Sequence, residues 1–296
     1  MRASRRIKSG FHFTWMMIAL ILILILPFAL AVGLSYKSGL LFREGGGLGM
    51  LFSSDWRPQE GHFGFMPFIV SSLWITVIAI SLAGPVCVLS AINLTYYAHQ
   101  YVSKVMQIVI DILAGIPSVV YGVWGILVLV PLVSHVLGPL FGHPGTGYSL
   151  LTGGLVLAVM IIPFILNILL ELFRTVPPDL IDASLSVGAT KWQTIKRVVL
   201  KKTMPGILSA ISLGISRAFG ETIAVLMVVG NVIKIPKSIF DPAYPLPALI
   251  ANNYGEMLSI PRYDSALMFA ALILFFIILI FNILARRIIR GSEKYI

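Results

Sequence analysis

A chain of 296 residues that is 58% hydrophobic and only 11% charged lies far outside the range of soluble globular domains. Its charge-free runs (13–36, 61–103, 112–170 and 222–233) include several longer than the roughly 20 residues a helix needs to cross a hydrocarbon core, so this is an integral membrane protein. The formal charge of +10 sits at the edges of those runs and follows from membrane topology, so it does not point to nucleic acid. The lone Cys87, inside an apolar stretch and without metal-ligand companions, excludes an intrachain disulfide and reads as a small packing residue.

Six spans are predicted, at about 13–34, 66–92, 105–134, 150–172, 205–230 and 263–285. The first follows Arg2, Arg5, Arg6 and Lys8, yet its apolar run is too long for a signal-peptide core and no small-x-small cleavage pattern follows, so it is expected to stay as an uncleaved helix. Glu44-Gly45-Gly46-Gly47 and the stretch from Pro139 to Gly147 read as turns. Gly115-Ile116-Pro117-Ser118 and Tyr121-Gly122 predict a kink within the third span. Residues 231–262, with Pro236, Pro242, Pro245 and Pro247, are apolar enough to fold back against the membrane face. Fifteen Lys and Arg residues fall on the side of the two termini and six on the other, which puts both termini in the cytoplasm. His12, His62, His99, His135 and His143 are scattered near membrane edges and read as interfacial.

The connection 177–202, PPDLIDASLSVGATKWQTIKRVVLKK, is patterned as two short amphipathic helices. Pro177 and Pro178 open the first, with Asp179 and Asp182 in its first turns, where carboxylates complement the macrodipole. Gly188 ends it, and Thr190-Lys191-Trp192-Gln193 fits a capping box for the second, which is expected to finish on Lys201 and Lys202. Two readings fit: a folded element that grips a soluble partner, or an amphipathic loop resting on lipid headgroups.

Three charges inside predicted spans stand out. Arg217 lies 12 residues beyond Pro205, about 18 Å along a helix and close to the bilayer midplane. Glu221, one turn on, is placed to pair with it. That pair is either a self-neutralising structural bridge or an anion site in which the guanidinium offers paired donors to a tetrahedral oxyanion. Asp111, two turns into the third span, reads as structural. The helix around Arg217 is dense in small residues (Gly206, Ser209, Ser212, Gly214, Ser216, Gly220), which allow close helix approach. There is no phosphate-cradling loop, no His/Cys cluster and no nucleophile elbow, so no catalytic residue, metal or cofactor is expected. Nucleotide-driven transport would need an ATPase on another chain.

The connection resembles the cytoplasmic EAA loop of ABC importer permeases, roughly EAA-x3-G-x9-I-x-L-P. Asp182-Ala183-Ser184, Gly188, Val198 and Leu200 fall at matching spacing, with Asp for Glu, Ser for the second Ala and Lys201 for the usual Pro. Gly115-Ile116-Pro117-Ser118-Val119-Val120-Tyr121-Gly122, Ser216-Arg217-Ala218-Phe219-Gly220-Glu221-Thr222 and Met227-Val228-Val229-Gly230-Asn231 resemble the permeases of the Pst phosphate importer. The continuation Gly220 to Val225 and the Ile235-Pro236…Phe240-Asp241-Pro242 loop resemble its PstC subunit more than PstA.

This resemblance implies an all-α fold of the type I importer (MetI-like) class and a non-catalytic permease subunit translocating inorganic phosphate across the cytoplasmic (inner) membrane of a prokaryote. Implied partners are a PstA-like permease, a PstB-like ATPase dimer, an external phosphate-binding protein and membrane lipid. Arg217 and Glu221 would line the substrate path, and Asp182, Ala183, Ser184, Gly188, Ala189 and Thr190 would couple to the ATPase. The domain layout expected is a tail at 1–12, a first span with external loop at 13–65, a type-1 transmembrane domain at 66–286 containing the coupling loop 173–204, and a tail at 287–296. A permease for molybdate or sulfate, and an ion-coupled secondary transporter or channel using Arg217, Glu221 and Asp111, are the alternatives.

Overall fold

The computed structural model describes residues 2–43, 47–255 and 260–293. In chain order it runs α1 (Arg2–Arg43), a two-stranded hairpin of β1 (Trp56–Arg57) and β2 (His62–Phe63), α2 (Met66–Ile92), α3 (Gln100–Ala114), α4 (Ser118–Leu140), α5 (Leu150–Arg174), α6 (Pro178–Ser186), α7 (Lys191–Gly220), α8 (Ile223–Val228), α9 (Leu246–Asn253) and α10 (Pro261–Glu293). Among the described residues, α1, α2, α4, α5, α7 and α10 are long and apolar enough to cross a membrane. Apart from the hairpin the fold is all-α, as a lipid environment requires of any spanning segment that is not a closed barrel.

The centre of the bundle is the seam between α2 and α5. On α2 the buried stripe Ile75, Ala79, Ala83, Cys87 and Ala91 repeats every four residues, the spacing of one helix face. The four that follow Ile75 are small because lipid is as apolar as leucine, so association depends on close packing rather than on escape from water. At Gly154 of α5 an added Cβ would run into Ile78, so a larger residue would force the two helices apart. Cys87 is fully buried and its thiol points to the carbonyl of Ile162 at 3.5 Å, in keeping with a packing role.

Three sequence expectations need correction. The third span does not run as one helix from 105. Gly115 and Ile116 end α3, Pro117 adopts an extended backbone, and a new helix starts at Ser118, because the residue before a proline is driven out of the helical region. Within α4 two wide π turns, Gly125–Leu129 and Val133–Leu137, each end two residues before a proline (Pro131, Pro139); widening relieves the clash between the ring and the preceding carbonyls. The fifth span stops at Gly220 and resumes as the short α8 from Ile223. The second helix of the 177–202 connection does not finish at Lys201 and Lys202. It passes through a π turn at Ile195–Val199 and continues into the membrane as α7, since lysine at 201 keeps the amide that a proline would lack. In addition, α1 starts at Arg2 rather than at 13. The expected turn residues 44–46 lie outside the described residues.

On the side away from that connection, the chain folds back over the bundle, as its prolines and apolar content lead one to expect. Helix ends and helix side chains take up several backbone groups along this return. The carbonyls of Asp241 and Ile239 accept from Leu150 and Leu151, the first N–H groups of α5, at 2.9 and 2.8 Å. The Ser71 and Ser72 hydroxyls on α2 accept from Tyr244 and Leu246 at 3.3 and 2.9 Å while donating to the carbonyls of Pro67 and Phe68. Trp56 of the hairpin anchors the rest edge-on against Phe63, Phe65, Phe68 and Tyr263, with ring centroids between 4.9 and 6.0 Å.

Ser72 thus caps the start of α9 across 174 residues of sequence. Replacing it by alanine leaves the buried Leu246 N–H unpaired, at about 1–3 kcal/mol. Ser72→Ala is expected to lower the thermal unfolding midpoint of the purified protein, and Ser81→Ala, on the exposed face of α2, to leave it unchanged.

Candidate functional site

The connection between α5 and α7 folds as its caps demand. Pro178 stands at the start of α6 with Asp179 in its first turn. Gly188 has φ +83, the left-handed conformation that ends the helix, and its N–H donates to Leu185 while Ala189 donates to Ser184. The capping box is complete: Gln193 N–H donates to the Thr190 hydroxyl at 3.3 Å and Thr190 N–H to the Gln193 side chain at 2.9 Å. Ser184 and Thr194 hydroxyls, 2.9 Å apart, tie α6 to the start of α7. Lys191 lies over the Tyr97 ring at 4.8 Å, fixing the pair to the end of α2. Leu180, Leu185, Val187 and Trp192 are exposed on this otherwise polar element, and Val187 is 83% exposed. A rigid, polar helix pair with apolar side chains held outward has the make-up of a docking surface.

Arg217 and Glu221 are separated by the helix break, and the structure does not join them in an ion pair. Pairing one turn apart needs an unbroken helix. Here α7 ends at Gly220, Glu221 takes an extended backbone (ψ 126), and its carboxylate accepts from the Ala224 N–H at 3.2 Å at the start of α8. The structural-bridge reading of the pair therefore has no contact to rest on. The Arg217 guanidinium lies over the face of Phe164 on α5, 4.8 Å from the ring centroid, and its residue is exposed on the surface of this single chain. The Tyr121 hydroxyl donates to the carbonyl of Leu113 at 2.8 Å, at the α3–α4 break. A guanidinium stacked on a ring keeps its in-plane donors available to an oxyanion.

The sequence reading missed a polar group below this point. Phe164, Asn167, Glu171 and Arg174 follow one face of α5 toward the α6–α7 connection. There the Asn167 and Gln107 side-chain amides both donate to one carboxylate oxygen of Asp111, at 3.1 and 3.3 Å. Gln107 also donates to the Asn167 carbonyl at 2.8 Å, and Arg174 donates to the Gln107 carbonyl at 3.4 Å. The signal was present as an amide, Asn167, within a charge-free run, three residues from Phe164 and seven from Arg174. Its partners Asp111 and Gln107 stand 56 and 60 residues away in sequence, so the group could not be assembled by spacing. One residue before Arg217 on α7, Ser216 and Asn282 exchange hydrogen bonds at 3.0 and 3.2 Å, which pins α7 to α10.

Residues 83–294 match the family described as binding-protein-dependent transport system inner membrane component. The chain is 35% identical over 263 residues to the phosphate transport system permease protein PstC of Xylella fastidiosa, covering 84% of this chain and 81% of that protein. It is 34% identical over 302 residues to PstC of Haemophilus influenzae, covering 97% and 95% respectively. Among solved structures, a chain of a bacterial alginate ABC transporter superposes with a TM-score of 0.67 at 16% identity, covering 96% of this chain and 95% of that one, which supports the shared fold. With family and relatives both matched over most of its length, this chain belongs to the inner membrane components of binding-protein-dependent transport systems.

Proposed function

We propose that this chain is the PstC-like permease subunit of an ATP-driven importer and moves inorganic phosphate across the membrane. The observation that carries the substrate is Arg217: a cation held on an aromatic face beside a broken helix, with no carboxylate paired to it among the described residues, in a chain whose relatives are phosphate permeases. A dianion at that depth meets a desolvation cost of at least several kcal/mol, which a guanidinium offsets. A secondary transporter would leave the ordered α6–α7 connection without a role.

The reading assigns Asp182, Ala183, Ser184, Gly188, Ala189 and Thr190 to the contact with a PstB-like ATPase dimer, and the face bearing Arg217 to a path shared with a PstA-like permease. Phosphate arrives from an external binding protein on the side of the hairpin and α9. ATP hydrolysis belongs to the ATPase, so this chain has no catalytic residues and needs no cofactor. The reading takes both termini and the α6–α7 connection as cytoplasmic, supported by the charge bias, with the type-1 transmembrane domain over 66–286 and tails at 1–12 and 287–296.

Three tests bear on this. In reconstituted importer, Arg217→Gln is expected to lower ATP-driven phosphate uptake by about two orders of magnitude, near 3 kcal/mol, with normal complex yield. Glu221→Gln keeps an acceptor for Ala224 and should be milder; uptake unchanged in Arg217→Gln would overturn the role of the cation. Gly188→Pro cannot adopt φ +83, and nothing packs within 4 Å of that position, so it should abolish co-purification of the ATPase while the bundle stays folded by circular dichroism. In a Cys87-free background, single cysteines at Ser53, Gly145 and Ser238 should label from outside intact cells, and one at Ser186 only after permeabilisation.

A further inference from the structure

We propose that Gln107, Asn167 and Arg174 form a second oxyanion subsite on the inward half of the path, and that Asp111 is its built-in occupant. The inference rests on the phosphate reading above and extends it to residues that reading leaves without a part.

The geometry is that of an anion site already filled. One oxygen of the Asp111 carboxylate accepts from two side-chain amides on two different helices, Asn167 at 3.1 Å and Gln107 at 3.3 Å. Arg174 donates to the carbonyl end of Gln107, which polarises that amide and strengthens its N–H as a donor. Gln107 and Asn167 also bond each other at 2.8 Å, so the two donors are held together rather than meeting by chance. A phosphate oxygen has the same size, charge and acceptor character as a carboxylate oxygen, so this point can take either. Asp111 makes no ion pair among the described residues; its charge is carried by neutral amides, which a free cation nearby would do better if the group served only to brace helices.

Position fits the same role. Asn167 follows Phe164 on the face of α5 that carries Arg217, about 4.5 Å further along the axis, and Arg174 follows about 10 Å beyond Asn167, next to the α6–α7 connection. An anion leaving Arg217 in that direction meets Asn167 and Gln107 next, then the positive charge of Arg174. Asp111 and Arg174 are both exposed on the surface of this chain, and a polar row of this kind is stable at membrane depth only against protein or a water-filled path. A carboxylate that competes for the amides keeps phosphate from lingering there, and it keeps phosphate accumulated on the inner side from re-binding. Asp111 is thus a release residue: it exchanges with the departing anion at shared donors, with no bond made or broken.

The test uses the complete importer, with its partner permease and ATPase, in proteoliposomes oriented so that the lumen stands for the outside and ATP and cytoplasmic-side phosphate are supplied in the bath. ATP-driven export of phosphate from the binding-protein-loaded lumen is followed as bath phosphate is raised. Asp111→Asn removes the charge and keeps an acceptor; Asp111→Ala removes both and suits a helix. The bath phosphate that halves the rate is expected to fall at least tenfold in Asp111→Asn, which loses the competing charge, and further in Asp111→Ala. Adding Asn167→Leu to Asp111→Ala should return that value toward wild type, since the freed donor is gone. Wild-type phosphate dependence in both Asp111 variants, at equal complex yield, overturns the proposal, and so does a lowered complex yield that tracks the rate in every variant. If the wild-type importer moves no phosphate, the substrate reading fails on its own; if it transports and the Asp111 variants match it, only the release role fails.

Discussion

Hydrocarbon offers no hydrogen bonds, so each backbone amide and carbonyl at membrane depth must be satisfied by the chain itself, and the rest of this structure follows from how that requirement is met where helices stop. At the α7–α8 break the cost of interrupting a helix is limited by one side chain: the Glu221 carboxylate takes the Ala224 N–H, and Leu226 already donates back to Thr222. On the hairpin side the same need is met by tertiary contacts. The carbonyls of 239 and 241 serve the first amides of α5, and two serines of α2 serve the returning chain. Irregular backbone occurs here where a helix end or a side chain is placed to receive it.

That economy explains why packing at the centre relies on small side chains while polar groups gather on one exposed face. The α2–α5 seam closes on alanines and on Gly154, and at Gly214 of α7 an added Cβ would come within 2.5 Å of Ile165, so these helices sit close. Close approach leaves no room in the seam for the longer polar side chains, and Arg217, Asp111 and Arg174 stand on the surface the chain does not cover for itself, with Asn167 half-buried beside them. The first span buries none of its most apolar window, whereas α5 buries more than half of its own.

Much of the fold was legible because its signals are local. Long apolar runs gave the spans; Pro178, Gly188 and the Thr190–Gln193 box gave the α6–α7 corner, each a cap satisfied within a few residues. The prolines of 231–262 gave the folded-back segment. Where the reading failed, the deciding force was a break or a distant partner. Gly115 to Ser118 announced a kink but not that Pro117 fully separates two helices, and i, i+4 spacing does not reveal that Gly220 ends α7 before Glu221 can pair. Of the candidate site, Arg217 was readable as a lone cation in an apolar helix. Its Phe164 platform and the Gln107–Asp111–Asn167 group were not, since each depends on contacts between helices more than 50 residues apart.

The continuity of α7 adds a mechanical consequence that two separate helices would not have. Its 30 residues, about 45 Å of helix, start inside the corner that carries Gly188 and end three residues past Arg217. A displacement of the corner therefore reaches Arg217 along a single rod, without a loop to absorb it, and the one wide turn in that rod, Ile195–Val199, lies next to the corner. At the far end, Ser216 is bonded to Asn282 of α10, so α10 is drawn with it, while Phe164 and the polar row belong to α5. Motion of α7 against α5 then changes how far the Arg217 charge stands from Asn167 and Asp111. In the proposed importer that relative motion couples the ATPase to the anion: it carries the cation's charge between the outer and inner halves of the path while the donors on α5 stay in place.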